Sequence, residues 1–107
     1  MSSSSIDKTT SDADGASPDM ARRVATICNQ RGLHARAAAR FVKTAGQFDA
    51  EILVRKNGTE VSGRSIMGLM MLAAAPGTVI ELAATGRQAE AAVTALTKLI
   101  ECKFDEE

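Results

Sequence analysis

The chain has 107 residues, of which 45% are apolar, and its 13 basic and 13 acidic residues leave no formal net charge. This length suits one small domain, and three phenylalanines without tryptophan or tyrosine provide no platform for stacking nucleic-acid bases. No apolar run approaches the roughly 18 residues of a membrane-spanning helix, and the first residues lack the apolar segment of a signal peptide. We therefore expect a cytoplasmic protein that binds neither nucleic acid nor membrane.

The two cysteines give no sign of a disulfide framework or a metal site. Cys28 and Cys102 lie far apart in the sequence, and neither belongs to a CxxC pattern or to a cluster with histidine. We expect free thiols, as in a reducing compartment. The sequence also has no glycine-rich phosphate loop and no evident magnesium ligands, so we expect neither a metal nor a cofactor.

The first nineteen residues differ in composition from the rest of the chain. They are mostly serine, threonine, aspartate, alanine and glycine, and Ile6 is their only large aliphatic side chain. Such a segment cannot offset its ordering entropy by burial. We predict a disordered extension over residues 1–19 and one folded domain over residues 20–107. Met20 is an alternative start, and a regulatory role for the serines of the extension stays open.

Charge is distributed unevenly along the chain. Residues 1–20 carry four aspartates and one lysine, a net charge of −3, so the remaining residues carry +3. Six basic residues and no acidic one lie between positions 22 and 48, namely Arg22, Arg23, Arg31, Arg36, Arg40 and Lys43. Such a run is either a solvated basic face or a surface that attracts phosphate or an acidic partner. Its overlap with the single histidine of the chain favours the second interpretation.

The hydrophobic pattern predicts seven elements in the order β-α-β-β-α-β-α. Strands are predicted at 22–28, 51–55, 59–61 and 78–84, and helices at 35–46, 66–72 and 89–102. Asn57-Gly58 is a hairpin signal, Gly46 is a helix stop signal, and Ser65 is a preferred N-cap. The order implies an α+β fold in which helices pack on one face of a small, mainly antiparallel sheet.

The stretch Gly32-Leu33-His34-Ala35-Arg36 is the strongest candidate for chemistry. His34 directly precedes the helix predicted to begin at Ala35, where unpaired N–H groups and the helix dipole can hold phosphate oxygens. At an ordinary pKa of about 6.5, roughly three quarters of an imidazole is neutral at pH 7 and has a lone pair for attack on phosphorus. A helix N-terminus should lower that pKa, and Arg36 can stabilise the charge on a transferred phosphoryl group. The alternative is that both side chains are ordinary polar surface.

Two motifs, GLHARAA at residues 32–38 and GRSIMGLM at residues 63–70, resemble the histidine-containing phosphocarrier (HPr) family of the bacterial phosphoenolpyruvate-dependent phosphotransferase system. The resemblance covers residues 20–104 and implies an open-faced sandwich of four strands and three helices. It also implies a stoichiometric carrier and not an enzyme in its own right. His34 would accept a phosphoryl group from enzyme I through Nδ1 and pass it to an enzyme IIA protein. Arg36 matches the active-site arginine of the family.

The resemblance gives Ser65 a regulatory role. It matches the serine that HPr kinase/phosphorylase modifies in many bacteria, and a phosphate there adds about −1.5 to −2 of charge. The plainer interpretation is an N-cap worth about 1 kcal/mol, which is compatible with modification.

The same motif is expected to provide a partner-binding surface. By resemblance this surface comprises Ile66, Met67 and Met70, together with Ala35, and flexible methionines suit a surface that meets several partners. The alternative is that these side chains are core. A short helix cannot turn all of them inward, so we assign only Leu69 and Leu72 of this helix to the core.

Several points stay open at the level of the sequence. Ala37 stands where most family members have proline, and Arg31 where small polar residues are usual. Residues 104–106 and the preceding helix resemble the nitrogen-related NPr branch, so sugar uptake and nitrogen regulation both remain as roles. The alternatives to a carrier are a purely regulatory protein controlled through Ser65 and a module that binds a small molecule or a protein. We expect a monomer.

Overall fold

The computed structural model describes residues 20–105, which form one sheet and three helices. The strands are β1 (Met20–Thr26), β2 (Glu51–Lys56), β3 (Thr59–Ser62) and β4 (Val79–Thr85), and the helices are α1 (Ala35–Ala45), α2 (Ile66–Met71) and α3 (Ala89–Glu101). A single 3₁₀ turn, Lys103–Asp105, follows α3. The predicted β-α-β-β-α-β-α order is confirmed. The predicted extension at residues 1–19 lies outside the described residues.

The four strands form one antiparallel sheet in the order β1-β4-β2-β3. The first strand therefore lies beside the last, and β4 and β2 occupy the centre. Alternate side chains of these strands point into the core, and the fully or nearly buried ones are Ala21, Ala25, Ile52, Val54, Ile80, Leu82 and Ala84. This alternation is the reason why short sequence segments could be recognised as half-buried strands.

The helices cover one face of the sheet. Alanine-rich α1 buries Ala37, Ala38, Phe41 and Ala45, and α3 buries Ala89, Ala92, Val93, Leu96 and Ile100. Helix α3 packs on β1 and β4, while α1 contacts both α2 and α3. Val42 of α1 is only partly buried and packs against this core. The α+β open-faced sandwich is therefore the observed fold.

The opposite face of the sheet carries a row of ion pairs that crosses all four strands. Glu81 in β4 accepts from Arg22 at 3.1 Å and from Arg55 at 3.4 Å, and Arg55 also pairs with Glu60 at 2.8 Å. The hydrogen bond and charge of Glu60, together with the charge of Glu81, raise the pKa of Arg55. This row adds opposite-charge pairs across the strands of the uncovered face, beside the exposed Val24 and Val79.

The turn signals differ in how the chain uses them. Asn57 and Gly58 have φ values of 49° and 84°, as expected for the predicted hairpin turn. Gly46 does follow α1, but its φ of −68° is right-handed and open to any residue. The turn at Gly58 thus requires the positive φ that glycine adopts easily, whereas the conformation of Gly46 does not require glycine. Ser65 is the N-cap of α2, as predicted.

Among residues 20–105, no helix has the length and apolar character needed to cross a membrane. Cys28 and Cys102 are free and exposed. In the same part of the chain, no three histidine, cysteine or carboxylate side chains come together as metal ligands would.

Candidate functional site

His34 is the N-cap residue of α1. Its backbone is extended (φ −83°, ψ −176°), and its carbonyl accepts the first helical hydrogen bond from Ala38 N–H at 2.8 Å. The His34 side chain makes no capping hydrogen bond to the helix. The backbone N–H groups of Ala35, Arg36 and Ala37, in the first turn, therefore have no acceptor carbonyl within the helix. These amides and the positive end of the helix dipole provide a place for an anion beside the imidazole.

The His34 ring is half-buried and is held by the backbone just before it. Its Nδ1 lies 3.1 Å from the carbonyl oxygen of Gly32. Because a carbonyl oxygen can only accept, Nδ1 carries the proton in this arrangement, and in the neutral ring the lone pair belongs to Nε2. The structure thus defines which tautomer the resting site favours.

A tight turn over residues 29–32 presents that carbonyl. Gly32 N–H donates to Asn29 O at 3.2 Å, and the Asn29 side-chain amide donates to Gly32 O at 2.7 Å. Asn29 is the one fully buried polar side chain among the residues that the structure describes. Its role was not predicted from the sequence, although an asparagine three residues before a glycine is a recognisable turn signal.

Gly32 is required by the close approach of a second segment. Its φ is +67°, and a Cβ added there would lie 2.5 Å from the carbonyl oxygen of Ala74. That same oxygen accepts a hydrogen bond from Leu33 N–H at 2.9 Å. The residues that lead into His34 are therefore fixed against the segment that follows α2.

An open depression of about 220 Å³ lies next to the ring, lined by Arg31, Leu33, His34 and residues 73–75. Ala73 has a φ of 53°, which is unusual for a residue with a side chain. Lys56 holds this segment from the other side, since its ammonium group donates to Leu72 O at 2.7 Å and to Ala73 O at 3.3 Å. A fixed wall thus faces His34, and Arg31 adds a cation to its rim.

The basic run found in the sequence divides into two groups. Arg22, Arg23 and Arg40 form ion pairs on the surface of the fold, with Glu81, Glu90 and Asp105 respectively. Arg31 and Arg36 are exposed and form no ion pair or hydrogen bond with any residue between 20 and 105. Both unpaired guanidinium groups belong to residues within three positions of His34, so the charge near the ring is available to an incoming anion.

Ser65 begins α2 and uses its side chain to do so. Its Oγ accepts a hydrogen bond from Gly68 N–H at 2.9 Å. The residue is half-buried at the rim of the apolar surface of α2. The Ser65 hydroxyl therefore caps the helix and is also partly accessible to solvent, which a regulatory modification would require.

The outward face of α2 is apolar. Ile66, Met67 and Met70 are 41%, 74% and 43% exposed, and Leu69 and Leu72 are buried as predicted. Met71, 77% exposed, belongs to the same surface and was missed. Its position four residues after Met67 places it on the same helix face.

The structure brings these predicted groups onto neighbouring segments. Ala35 is exposed at the first position of α1, directly after His34. Helix α1 packs on α2, and α2 runs into residues 73–75 at the edge of the His34 depression. The histidine, the free arginines and the apolar surface thus share one end of the fold.

The family of the chain follows from comparison with known proteins. A family model described as the PTS HPr component phosphorylation site matches residues 21–102. The chain belongs to the HPr family. A Neisseria meningitidis phosphocarrier protein HPr is 53% identical over 87 residues, which cover 81% of this chain and 98% of that protein. An NPr of Shewanella violacea is 44% identical over 84 residues, covering 78% of this chain and 92% of that protein.

Solved HPr structures share the fold. An HPr from Thermoanaerobacter tengcongensis has a TM-score of 0.78 at 46% identity, covering 81% of this chain and 98% of its own. A structure described as an HPr dimer from the same organism has a TM-score of 0.64 at 49% identity, covering 73% and 90% respectively. The chain thus shares its fold as well as its sequence pattern with the HPr family, and residues 1–20 and 103–107 lie outside the family match.

Proposed function

We propose that this chain carries a phosphoryl group on His34, which it accepts from enzyme I and passes to an enzyme IIA protein. The observation that carries this proposal is the position of His34 as N-cap of α1, with an imidazole and unpaired amides side by side. One nitrogen can then form the bond to phosphorus while backbone N–H groups hold its oxygens. The carrier acts stoichiometrically, and its partner proteins complete the catalytic site.

Attack by Nδ1 requires two changes in the resting site. The ring proton has to reside on Nε2, and Nδ1 has to leave the Gly32 carbonyl, which lies 3.1 Å away. The N–P bond then forms as the bond between phosphorus and the donor atom of enzyme I breaks, and the electron pair of that bond leaves with the donor. No proton needs to leave the His34 ring during this step, because Nδ1 arrives with a lone pair.

Arg36 stabilises the phosphoryl group during transfer. Its guanidinium is exposed, lies two residues from His34 and has no carboxylate partner in the described part of the chain. A charge-assisted hydrogen bond of this kind contributes roughly 1.5–3 kcal/mol. Arg31, on the rim of the depression, adds a second positive charge to the same approach path.

Docking involves the apolar surface of α2 with Ala35. Four exposed side chains form this surface, Ile66, Met67, Met70 and Met71. Methionine side chains can adapt to different partners, as a carrier that meets both a donor and an acceptor requires. We further propose that phosphorylation of Ser65 by an HPr kinase/phosphorylase controls docking, because it would place charge at the edge of this surface.

The carrier acts in the cytoplasm, as a monomer, and without metal or cofactor. The branch that it serves, sugar uptake or nitrogen regulation, is set by the enzyme IIA that accepts its phosphoryl group. Transfer from the labelled protein to purified enzyme IIA proteins of both branches identifies it, since only the cognate protein removes the label rapidly.

The test uses radiolabelled phosphoenolpyruvate, enzyme I and the full chain. We expect an acid-labile label on the wild-type protein, no label on His34→Ala, and an unchanged label on the control Ser65→Ala. Acid-stable label on Ser65 alone would instead support a regulatory protein without carrier activity. Label that persists in His34→Ala would contradict the proposal.

A further inference from the structure

The carbonyl oxygen of Gly32 accepts two side-chain hydrogen bonds at once. One comes from the amide of Asn29 at 2.7 Å and the other from Nδ1–H of His34 at 3.1 Å. A carbonyl oxygen has two lone pairs, so both donors are accommodated. The shorter bond comes from a fully buried side chain, and the longer from a half-buried ring. Asn29 therefore determines where this oxygen points, and the imidazole adapts to it.

The burial of Asn29 makes this arrangement stiff. An unpaired amide in the interior costs the full desolvation penalty, so the side chain is strongly held to its acceptor. The backbone bond from Gly32 N–H to Asn29 O closes the same turn, and Leu33 N–H anchors the next residue to Ala74 O. The Gly32 peptide group is thus fixed on both sides immediately before His34.

From this geometry we infer that Asn29 is a positioning residue for His34. It acts through the Gly32 carbonyl by setting the orientation and the tautomer of the imidazole. The inference concerns the resting protein, and its consequence for phosphoryl transfer rests on the carrier function proposed above. Because attack by Nδ1 requires the ring proton on Nε2 and Nδ1 free of the Gly32 carbonyl, Asn29 favours the resting form of the ring over the reactive one.

The first test measures the His34 tautomer by ¹⁵N NMR at alkaline pH, where the imidazole is neutral, in the full chain and without any partner. We expect the Nδ1–H form to predominate in the wild-type protein. In Asn29→Leu, which removes the donor but fills similar space, we expect the ratio of Nδ1–H to Nε2–H to fall by about fivefold. That factor corresponds to the loss of one hydrogen bond of ordinary strength.

Two further variants separate positioning from loss of stability. Asn29→Ala provides a second readout if Asn29→Leu does not fold. Val54→Ala truncates a buried residue of β2 outside the turn and is the control for a general loss of stability. We expect it to leave the tautomer ratio at the wild-type value. An Asn29 variant that folds and keeps the wild-type ratio, or gains Nδ1–H, would overturn the inference.

The second test measures transfer from enzyme I as a function of carrier concentration. Because the Nε2–H form is the one that reacts, we expect Asn29→Ala to raise kcat, by no more than the roughly fivefold shift in the tautomer ratio, and to leave KM within twofold of wild type. The two proposals fail separately. If enzyme I does not label the wild-type protein, the carrier function fails while NMR still decides the role of Asn29. If labelling succeeds and Asn29→Ala transfers at the wild-type rate, the positioning role fails alone.

Discussion

At the scale of single residues, the site depends on a few backbone groups placed before His34. The Gly32 carbonyl accepts a hydrogen bond from the imidazole Nδ1–H, and the Gly32 φ of +67° allows residues 73–75 to approach. Leu33 N–H bonds Ala74 O at 2.9 Å because nothing projects from Cα of Gly32 between the two segments. The absence of a side chain is therefore what brings the histidine and the end of α2 together.

Gly32→Ala tests this requirement. Its Cβ would meet the Ala74 oxygen at 2.5 Å, and the residue would also have to adopt a left-handed conformation. The conformation alone costs roughly 1–2 kcal/mol, and the clash adds to it. The control is Gly77→Ala, where φ is +90° and nothing lies within 4 Å of the added Cβ. Denaturant unfolding should show a clearly larger loss of stability for Gly32→Ala, and equal losses would contradict this explanation.

At the scale of elements, α2 performs two tasks with only six residues, Ile66–Met71. It contributes Leu69 to the core and presents four apolar side chains to the solvent. A helix this short depends on its ends for stability. Ser65 caps the first turn, and Lys56 donates to the carbonyls of Leu72 and Ala73 after the last one.

Ser65→Ala should therefore lower the free energy of unfolding by about 1 kcal/mol, because Gly68 N–H loses its acceptor. Ser65→Asp retains an acceptor at the same position and should keep most of that stability. Thermal or denaturant unfolding measures both. In the labelling assay, Ser65→Asp should slow transfer from enzyme I more than Ser65→Ala does, since only Asp adds charge. A greater slowing by Ser65→Ala would contradict control of docking by charge.

At the scale of the whole molecule, charge is divided between two faces. The uncovered sheet face neutralises its own charges through the row that links Arg22, Glu81, Arg55 and Glu60. The end that carries His34 keeps the unpaired charges of Arg31 and Arg36. Although the formal net charge of the chain is zero, this end of the molecule attracts anions and acidic surfaces.

This division predicts how association depends on salt. Raising ionic strength from 0.01 M to 0.1 M shortens the Debye length from about 30 Å to about 10 Å, so association with enzyme I should slow. Arg31→Gln should reduce that salt dependence. The control Arg22→Gln should leave it unchanged, because Arg22 is already paired with Glu81 at 3.1 Å. Stopped-flow association rates provide the measurement, and equal effects of the two variants would contradict a localised attraction.

Much of the fold could be predicted because each element follows a simple local pattern. Alternation at Ile52 and Val54 indicated a strand, and Ser65 before an apolar run indicated a capped helix. The residues of the site that were not predicted depend on contacts between segments that are distant in sequence, or on the direction in which the chain turns. Met71 looked like one more apolar residue of the helix, and the role of Asn29 arises from a turn whose carbonyl points at the ring.

The position of Phe104 shows the same limit. Three acidic residues follow Phe104 in the sequence, but Phe104 itself is fully buried. Lys103, Phe104 and Asp105 all have φ between 55° and 61°, and this left-handed turn directs the ring into the core beside α1 and α3. No local pattern predicts three such residues in succession, since none of them is glycine.

The pairing of β1 with β4 has a consequence for synthesis on the ribosome. The neighbours of β1 in the fold are β4 and α3, the last strand and the last helix to be translated. At ordinary translation speeds of about 5–20 residues per second, β1 emerges roughly 3–12 s before β4 is finished. During that time β1 has unpaired backbone N–H and C=O groups that can bond to another chain. Arg22 and Arg23 lie in the middle of β1, and such charges protect a nascent strand from pairing with another chain.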